Sequence, residues 1–326
     1  MRKFAILSAA ATAACLLAPQ GALAHCFVGG RFFPATLGID DPCVADELSI
    51  PTLTWTRTAD TPSAREFDVS GEFSKRITEY FGVSISPTWT HLSQPGMPNQ
   101  SGFQNLETTF KYQFLTLPEQ EFVMSGALVV EWGNTGAAGV GADPFTSYTP
   151  TLYMGKGFGG LPDAVRWLRP VGLTAQVGYA IPSSNSSVNV DPDTGDADIE
   201  LHPRFLQYGF SLQYSMPYLK SSVVDLQLPD FFNRLIPIVE GSFQTPVSNN
   251  FGTGIATTGT IQPGVIWVGN YYQIGLEAVI PINHASGSGI GVMAQLHLYL
   301  DDIFPKTVGQ PLFGGSTNPG RPIFGN

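Results

Sequence analysis

The sequence predicts an all-β protein: a transmembrane antiparallel up-and-down β-barrel of about 12 strands with short periplasmic helices. Three observations predict it. The chain opens with an export signal, strand-length runs place apolar side chains at every second position, and the connections between runs alternate between short and long.

Met1-Arg2-Lys3, the apolar stretch from Phe4 to Pro19 and Ala22-Leu23-Ala24 read as the n-region, h-region and A-x-A cleavage site of a signal peptide, residues 1–24. Cys15 follows Thr12-Ala13-Ala14, a poor lipoprotein processing site, so no lipid anchor is expected there. No later segment supplies the ~20 consecutive apolar residues of a spanning helix, so any membrane crossing falls to strands. Removing the leader leaves Cys26 and Cys43, an even pair in an oxidising compartment, and predicts a disulfide stapling a periplasmic N-terminal segment over 25–50.

Eight runs alternate clearly. Phe67, Val69, Gly71 and Phe73 oppose Glu66, Asp68, Ser70 and Glu72; Phe81, Val83, Ile85, Pro87 and Trp89 oppose Gly82, Ser84, Ser86, Thr88 and Thr90. Thr108, Phe110, Tyr112 and Phe114 oppose Glu107, Thr109, Lys111 and Gln113, and Leu128, Val130 and Trp132 oppose Ala127 and Glu131. The pattern recurs over 171–181, 206–214, 272–280 and 292–300, and weaker strands near 52–58, 147–158, 233–244 and 258–268 complete the barrel, 51–304. Successive side chains of a strand point to opposite faces, so one face suits lipid and the other a polar lumen. The connections near 76–79, 115–120 and 269–270 are short; those at 92–102, 133–146, 182–200 and 245–257 are long and polar. Two further even-numbered connections, 159–169 and 217–232, read as structured periplasmic pieces, the first helical around Pro162 to Leu168. Trp55, Tyr80, Trp89, Trp132, Tyr148, Trp267, Tyr271 and Tyr272 fall at strand ends, as interfacial girdles do. Residues 305–326 form a periplasmic tail.

Composition agrees. Charged residues are 13% against the ~25% usual in soluble domains, and without Arg2 and Lys3 the chain carries 14 basic against 26 acidic residues, or −12. Nucleic acid is excluded as a partner, since phosphate neutralisation needs clustered Lys and Arg. The expected partners are the lipid bilayer of the outer membrane, the barrel-assembly machinery and a small-molecule solute. Strand parity lines the lumen with Asp68, Glu72, Glu107, Lys111, Glu131, Glu240, Glu277 and His297, with Arg234 near one mouth. Such rings of charge tune selectivity in narrow pores, or pair with one another and fill the lumen.

Asn105-Leu106-Glu107-Thr108-Thr109-Phe110-Lys111-Tyr112-Gln113-Phe114, Arg31-Phe32-Phe33-Pro34-Ala35-Thr36-Leu37 with Asp40-Asp41-Pro42, and the ending Leu296 to Pro305 resemble the outer-membrane barrels associated with aromatic-compound degradation, the phenol meta-pathway family. That resemblance implies an outer-membrane channel or transporter for a small molecule, hydrophobic or aromatic, and brings no ligand residues. Another twelve-stranded barrel, outer-membrane phospholipase A, is resembled by His91-Leu92-Ser93 with Asn105 downstream, which sets a lipid hydrolase using His91 and Ser93 as the enzymatic alternative. By parity Asn105 faces the other way, and a non-enzyme is the preferred reading. A structural or adhesive barrel working through its external loops is the third. Cleavage after Ala24 would expose a His25 amine and imidazole suited to copper, but nothing in the sequence brings His284 or His297 near, so no metal and no cofactor is expected. The acidic loop Asp191 to Asp198 would bind Ca²⁺ weakly at most.

Overall fold

The computed structural model describes residues 25–190, 197–250 and 256–314. The predicted signal peptide (1–24), the end of the predicted tail and most of the Asp191 to Asp198 loop lie outside the described residues. The alternating runs become twelve strands: β1 (Glu47–Arg57), β2 (Arg65–Arg76), β3 (Phe81–Ser86 continued by Thr88–Ser93), β4 (Gln100–Phe103 continued by Leu106–Leu117), β5 (Phe122–Trp132), β6 (Ser147–Gly157), β7 (Val171–Pro182), β8 (Arg204–Tyr214), β9 (Leu235–Ser248), β10 (Thr258–Val268), β11 (Tyr272–Pro281) and β12 (Gly291–Tyr299). Each pairs antiparallel with its neighbour, and β12 pairs with β1, so the sheet closes and leaves no unsatisfied edge in lipid.

Side-chain direction follows the predicted parity. Phe67, Phe110, Leu128, Val177, Leu212 and Ile274 point outward as exposed apolar groups. A surface that apolar is stable only in a bilayer, where each such side chain leaves water at a gain of roughly 1.5–3 kcal/mol when fully buried. Connections 77–80, 118–121, 158–170, 215–234 and 269–271 gather at one end, with 58–64, 94–99, 133–146, the described parts of the connections after β7 and β9, and 282–290 at the other. Tyr80, Trp267, Tyr271 and Tyr272 ring the first end, and Trp55, Trp89, Trp132 and Tyr148 the second. Among the described residues no helix is long and apolar enough to cross a membrane; the predicted helical stretch near Leu168 is two short 3-10 turns over Asp163–Leu168, kinked at Val165.

Two boundaries differ from the sequence reading. The first strand starts at Glu47, so 47–50 belong to the wall and not to the preceding segment. The predicted long connection over 92–102 contracts to 94–99, because Trp89 pairs with Phe103 and His91 with Ser101, lengthening the hairpin. Pro87, which has no N–H to give, interrupts β3, yet its carbonyl accepts from Gly71 N at 3.1 Å and keeps the neighbouring strand attached.

Residues 25–46 do not hang below the barrel. They enter it from the short-turn end, run up to a tip over Thr36 to Asp41, and return to Asp46 at the start of β1. The bridge Cys26–Cys43 is formed and closes this loop. Inside the wall it packs on two apolar clusters, Phe32 with Ile236, Ile238, Ile266, Val268 and Tyr299, and Cys26, Val28, Phe33 and Cys43 with Val123. Wall glycines make room: an added Cβ at Gly275 would strike Leu37, and one at Gly209 would lie 2.6 Å from Ile39.

Candidate functional site

The inserted loop is held by wall residues that the alternation places on the lumen face. Leu37 N and Gly38 N donate to Glu240 Oε2 at 2.9 and 2.6 Å. Asp40 N donates to Gln176 at 3.2 Å and Val44 N to Gln113 at 3.1 Å, while Ser125 donates to Pro42 O and Gln273 to Ala35 O. Lys111 Nζ meets Asp40 at 2.6 Å, donates to Asp41 O at 2.9 Å and lies 4.9 Å from the Tyr153 ring centre. At the loop's root, buried Arg31 pairs with Glu121 at 3.2 Å, donates to Pro170 O at 2.9 Å and stacks over Tyr218 at 3.8 Å. Burial lowers the Arg31 pKa and Glu121 offsets part of that, so the guanidinium stays charged.

Beyond the tip the lumen opens into a cavity of about 380 Å³. Asp40, Asp41, Glu47, Glu72, Glu107 and Glu131 converge on it, with His297, Gln176, Gln207, Gln295, Tyr153 and several hydroxyls between them. Glu107 and Glu131 stand directly opposite each other across β4 and β5. Like charges in that position destabilise a sheet by a few tenths of a kcal/mol to ~1 kcal/mol. Asn105 Nδ2 donates to Glu131 at 3.1 Å, and Ser74 to Glu72 at 2.7 Å; no cation among the described residues pairs with Glu72, Glu107 or Glu131 within 4.0 Å.

The predicted lumen residues thus separate into four roles. Glu72, Glu107, Glu131 and His297 line the cavity, His297 also meeting Ser49 at 2.8 Å and Glu47 at 3.6 Å. Asp68 lies nearer the long-loop mouth, bound to Thr90 at 2.6 Å. Lys111 and Glu240 grip the inserted loop, and Glu277, 1% exposed, is buried beside Glu240. Arg234 does not line a mouth: it follows the helix Asp230–Asn233, pairs with Asp230 at 2.6 Å and lies over Trp267 at 5.8 Å on the outer rim. Sequence reasoning missed Asp40, Asp41 and Glu47, because the segment 25–50 that carries all three was placed outside the barrel.

The His91, Ser93 and Asn105 set is not assembled. His91 Nδ1 bonds to Ser101 at 2.7 Å on the lipid side, while Asn105 is buried on the lumen side between Glu131 and Asp143 O.

No family model matches the chain. No curated protein is similar to it in sequence. Solved structures match it in fold, at low sequence identity. An outer membrane channel from Pseudomonas putida F1 aligns with a TM-score of 0.52 at 10% identity over 82% of this chain and 99% of its own. The fold is that of the outer-membrane barrels. More distant are the NanC porin (TM-score 0.44, 7% identity, 76% of this chain and 97% of its own) and the β domain of the Bordetella autotransporter BrkA (TM-score 0.47, 11%, 78% and 99%). The apolar outer wall and this fold place the protein in the outer membrane.

Proposed function

We propose that the barrel passes small cationic or neutral polar solutes across the outer membrane, with residues 25–46 as the element that closes its short-turn half. The observation that carries the reading is the convergence of six carboxylates on one cavity inside a closed wall. A low-dielectric wall focuses such a field, concentrates cations and repels anions. A volume of about 380 Å³ sits at the lower end of small-molecule sites. A lining of carboxylates, amides and hydroxyls favours amine-bearing or hydroxylated solutes over the hydrophobic or aromatic compound that the family resemblance implies. Export through the leader at 1–24 and insertion by the barrel-assembly machinery belong to the same reading.

Reversal potentials of purified protein in planar bilayers test it. Glu107→Gln with Glu131→Gln should lower the cation preference, most strongly at low salt where screening is weak. Glu277→Gln, buried beneath the loop, should leave it unchanged. An unaltered permeability ratio in the double variant would make the cavity carboxylates passive filler.

A further inference from the structure

The end of the chain that enters the barrel meets the end that leaves it in a group the solute pathway does not use. His25, 2% exposed, lies against Asp301 and Asp302 of the helix Leu300–Ile303 that follows β12. Its Nε2 is 2.5 Å from Asp302 Oδ2, its Nδ1 3.3 Å from Asp301 Oδ1, and its backbone N 3.1 Å from Asp301 Oδ2. The Tyr299 ring covers the imidazole at 4.1 Å, and Glu47 acts on it from β1. His25 Nδ1 and Asp301 Oδ1 are buried and have no hydrogen-bond partner.

A neutral imidazole carries one N–H. If Nε2–H donates to Asp302, the Nδ1 lone pair faces the Asp301 carboxylate, and that arrangement needs a positive charge between them. A carboxylate holding the far N–H of a histidine is also the usual outer support of a metal-bound imidazole. Metal–ligand distances of ~2.0–2.1 Å put neighbouring ligand atoms about 3 Å apart, which matches the 3.1 and 3.3 Å separations at Asp301.

We infer that His25 Nδ1 and the Asp301 carboxylate bind one divalent cation of the Cu²⁺ or Zn²⁺ class, with Asp302 positioning the ring. Cleavage after Ala24 would turn the His25 backbone N into an amine already beside Asp301, adding a third donor in a chelate ring with Nδ1. Imidazole, amine and carboxylate together suit Cu²⁺ best in the divalent series. The bound ion would tie the root of the inserted loop to the end of the last strand.

The alternative is a doubly protonated imidazolium held between the two aspartates with no metal. Burial works against it and lowers the His25 pKa, but Asp301 and Asp302 outweigh burial and raise it above its ordinary value. Mature protein extracted from outer membranes, stripped with chelator and titrated with Cu²⁺, separates the two. The expected result is one tightly bound equivalent per barrel with imidazole nitrogen couplings in its electron paramagnetic resonance spectrum. Asp301→Asn should weaken binding at least thirtyfold, and Asp302→Asn about tenfold to a hundredfold. His25→Gln should abolish the nitrogen couplings, each variant first confirmed as a barrel by heat-modifiable gel mobility. No stoichiometric binding, or binding and couplings equal in wild type and His25→Gln, overturns the site and leaves the ion-pair network alone. If His25→Gln does not fold, Asp302→Asn decides: undiminished affinity there counts against it.

Discussion

Lys111 is the cation that holds the tip of the inserted loop, so Lys111→Met should detach that tip without opening the wall. Removing one member of a fully buried ion pair costs ~3–5 kcal/mol, and an exposed pair is worth ~0–1 kcal/mol. Lys111 is 12% and Asp40 32% accessible, which places this pair between the two limits. We take about 2 kcal/mol, or roughly a thirtyfold shift in the detachment equilibrium. Asp40 is then left unopposed near Asp41, Glu47 and Glu72, and the repulsion acts in the same direction. Hydrogen exchange reads the shift directly, because amides exchange in proportion to the open population. Leu37, Gly38, Asp40 and Val44, the amides bound to Glu240, Gln176 and Gln113, should exchange about thirtyfold faster. Wall amides of β5 and β6 should not change, and bilayer conductance should rise. Unchanged exchange at all four amides in a folded variant would refute the assignment of Lys111 as the grip.

Leu128→Arg, facing lipid, should cost ~2–4 kcal/mol in a folding titration, whereas Ala127→Arg, facing the lumen, should be far milder; equal costs would mean the parity is inverted. Replacing Cys26 and Cys43 by Ser should weaken the closed loop by ~3 kcal/mol, seen as protease cleavage within 25–46 while the barrel keeps its heat-modifiable mobility. Arg31→Ala should leave buried Glu121 unpaired and loosen the loop's root by ~3 kcal/mol, read as faster exchange at Phe33 and Phe27; protection equal to wild type would assign the anchoring to the disulfide alone.

The wall was legible because period two encodes it directly. Each Phe, Leu or Ile of β2, β4, β5 and β7 marks one face, and turns of contrasting length mark the two ends. The occupied interior was not. Its contacts join residues such as Gly38 and Glu240 across 202 positions, beyond any local pattern. A signal did exist: Val123, Ile236, Ile238, Ile266 and Val268 are apolar on the face that an empty pore would make polar. In β9 both faces are apolar, so alternation could not say which side was filled. Glu240 and Lys111, read from parity as lumen-lining, hold the inserted loop instead, since direction alone does not distinguish a side chain facing water from one facing a peptide. Arg234 was misplaced because it caps the helix Asp230–Asn233 and precedes β9, which starts at Leu235, so strand parity does not reach it. The triad suggested by His91, Ser93 and Asn105 fails on the same parity, with Asn105 turned inward where β4 is interrupted.

The covalent loop also constrains biogenesis. Cys26 and Cys43 are 2% and 7% exposed once the wall surrounds them, too enclosed for an oxidoreductase to engage. Enzymatic thiol oxidation is therefore expected to precede enclosure. The loop runs directly into β1, whose pairing with β12 closes the barrel, so an insert oxidised first would have the wall close around it. Residues 25–46 would then be part of the surface on which the wall closes, as Tyr299 of β12 meets Phe32 edge-on at 6.3 Å. Periplasmic oxidising capacity, rather than membrane insertion alone, would set the yield of correctly closed barrels.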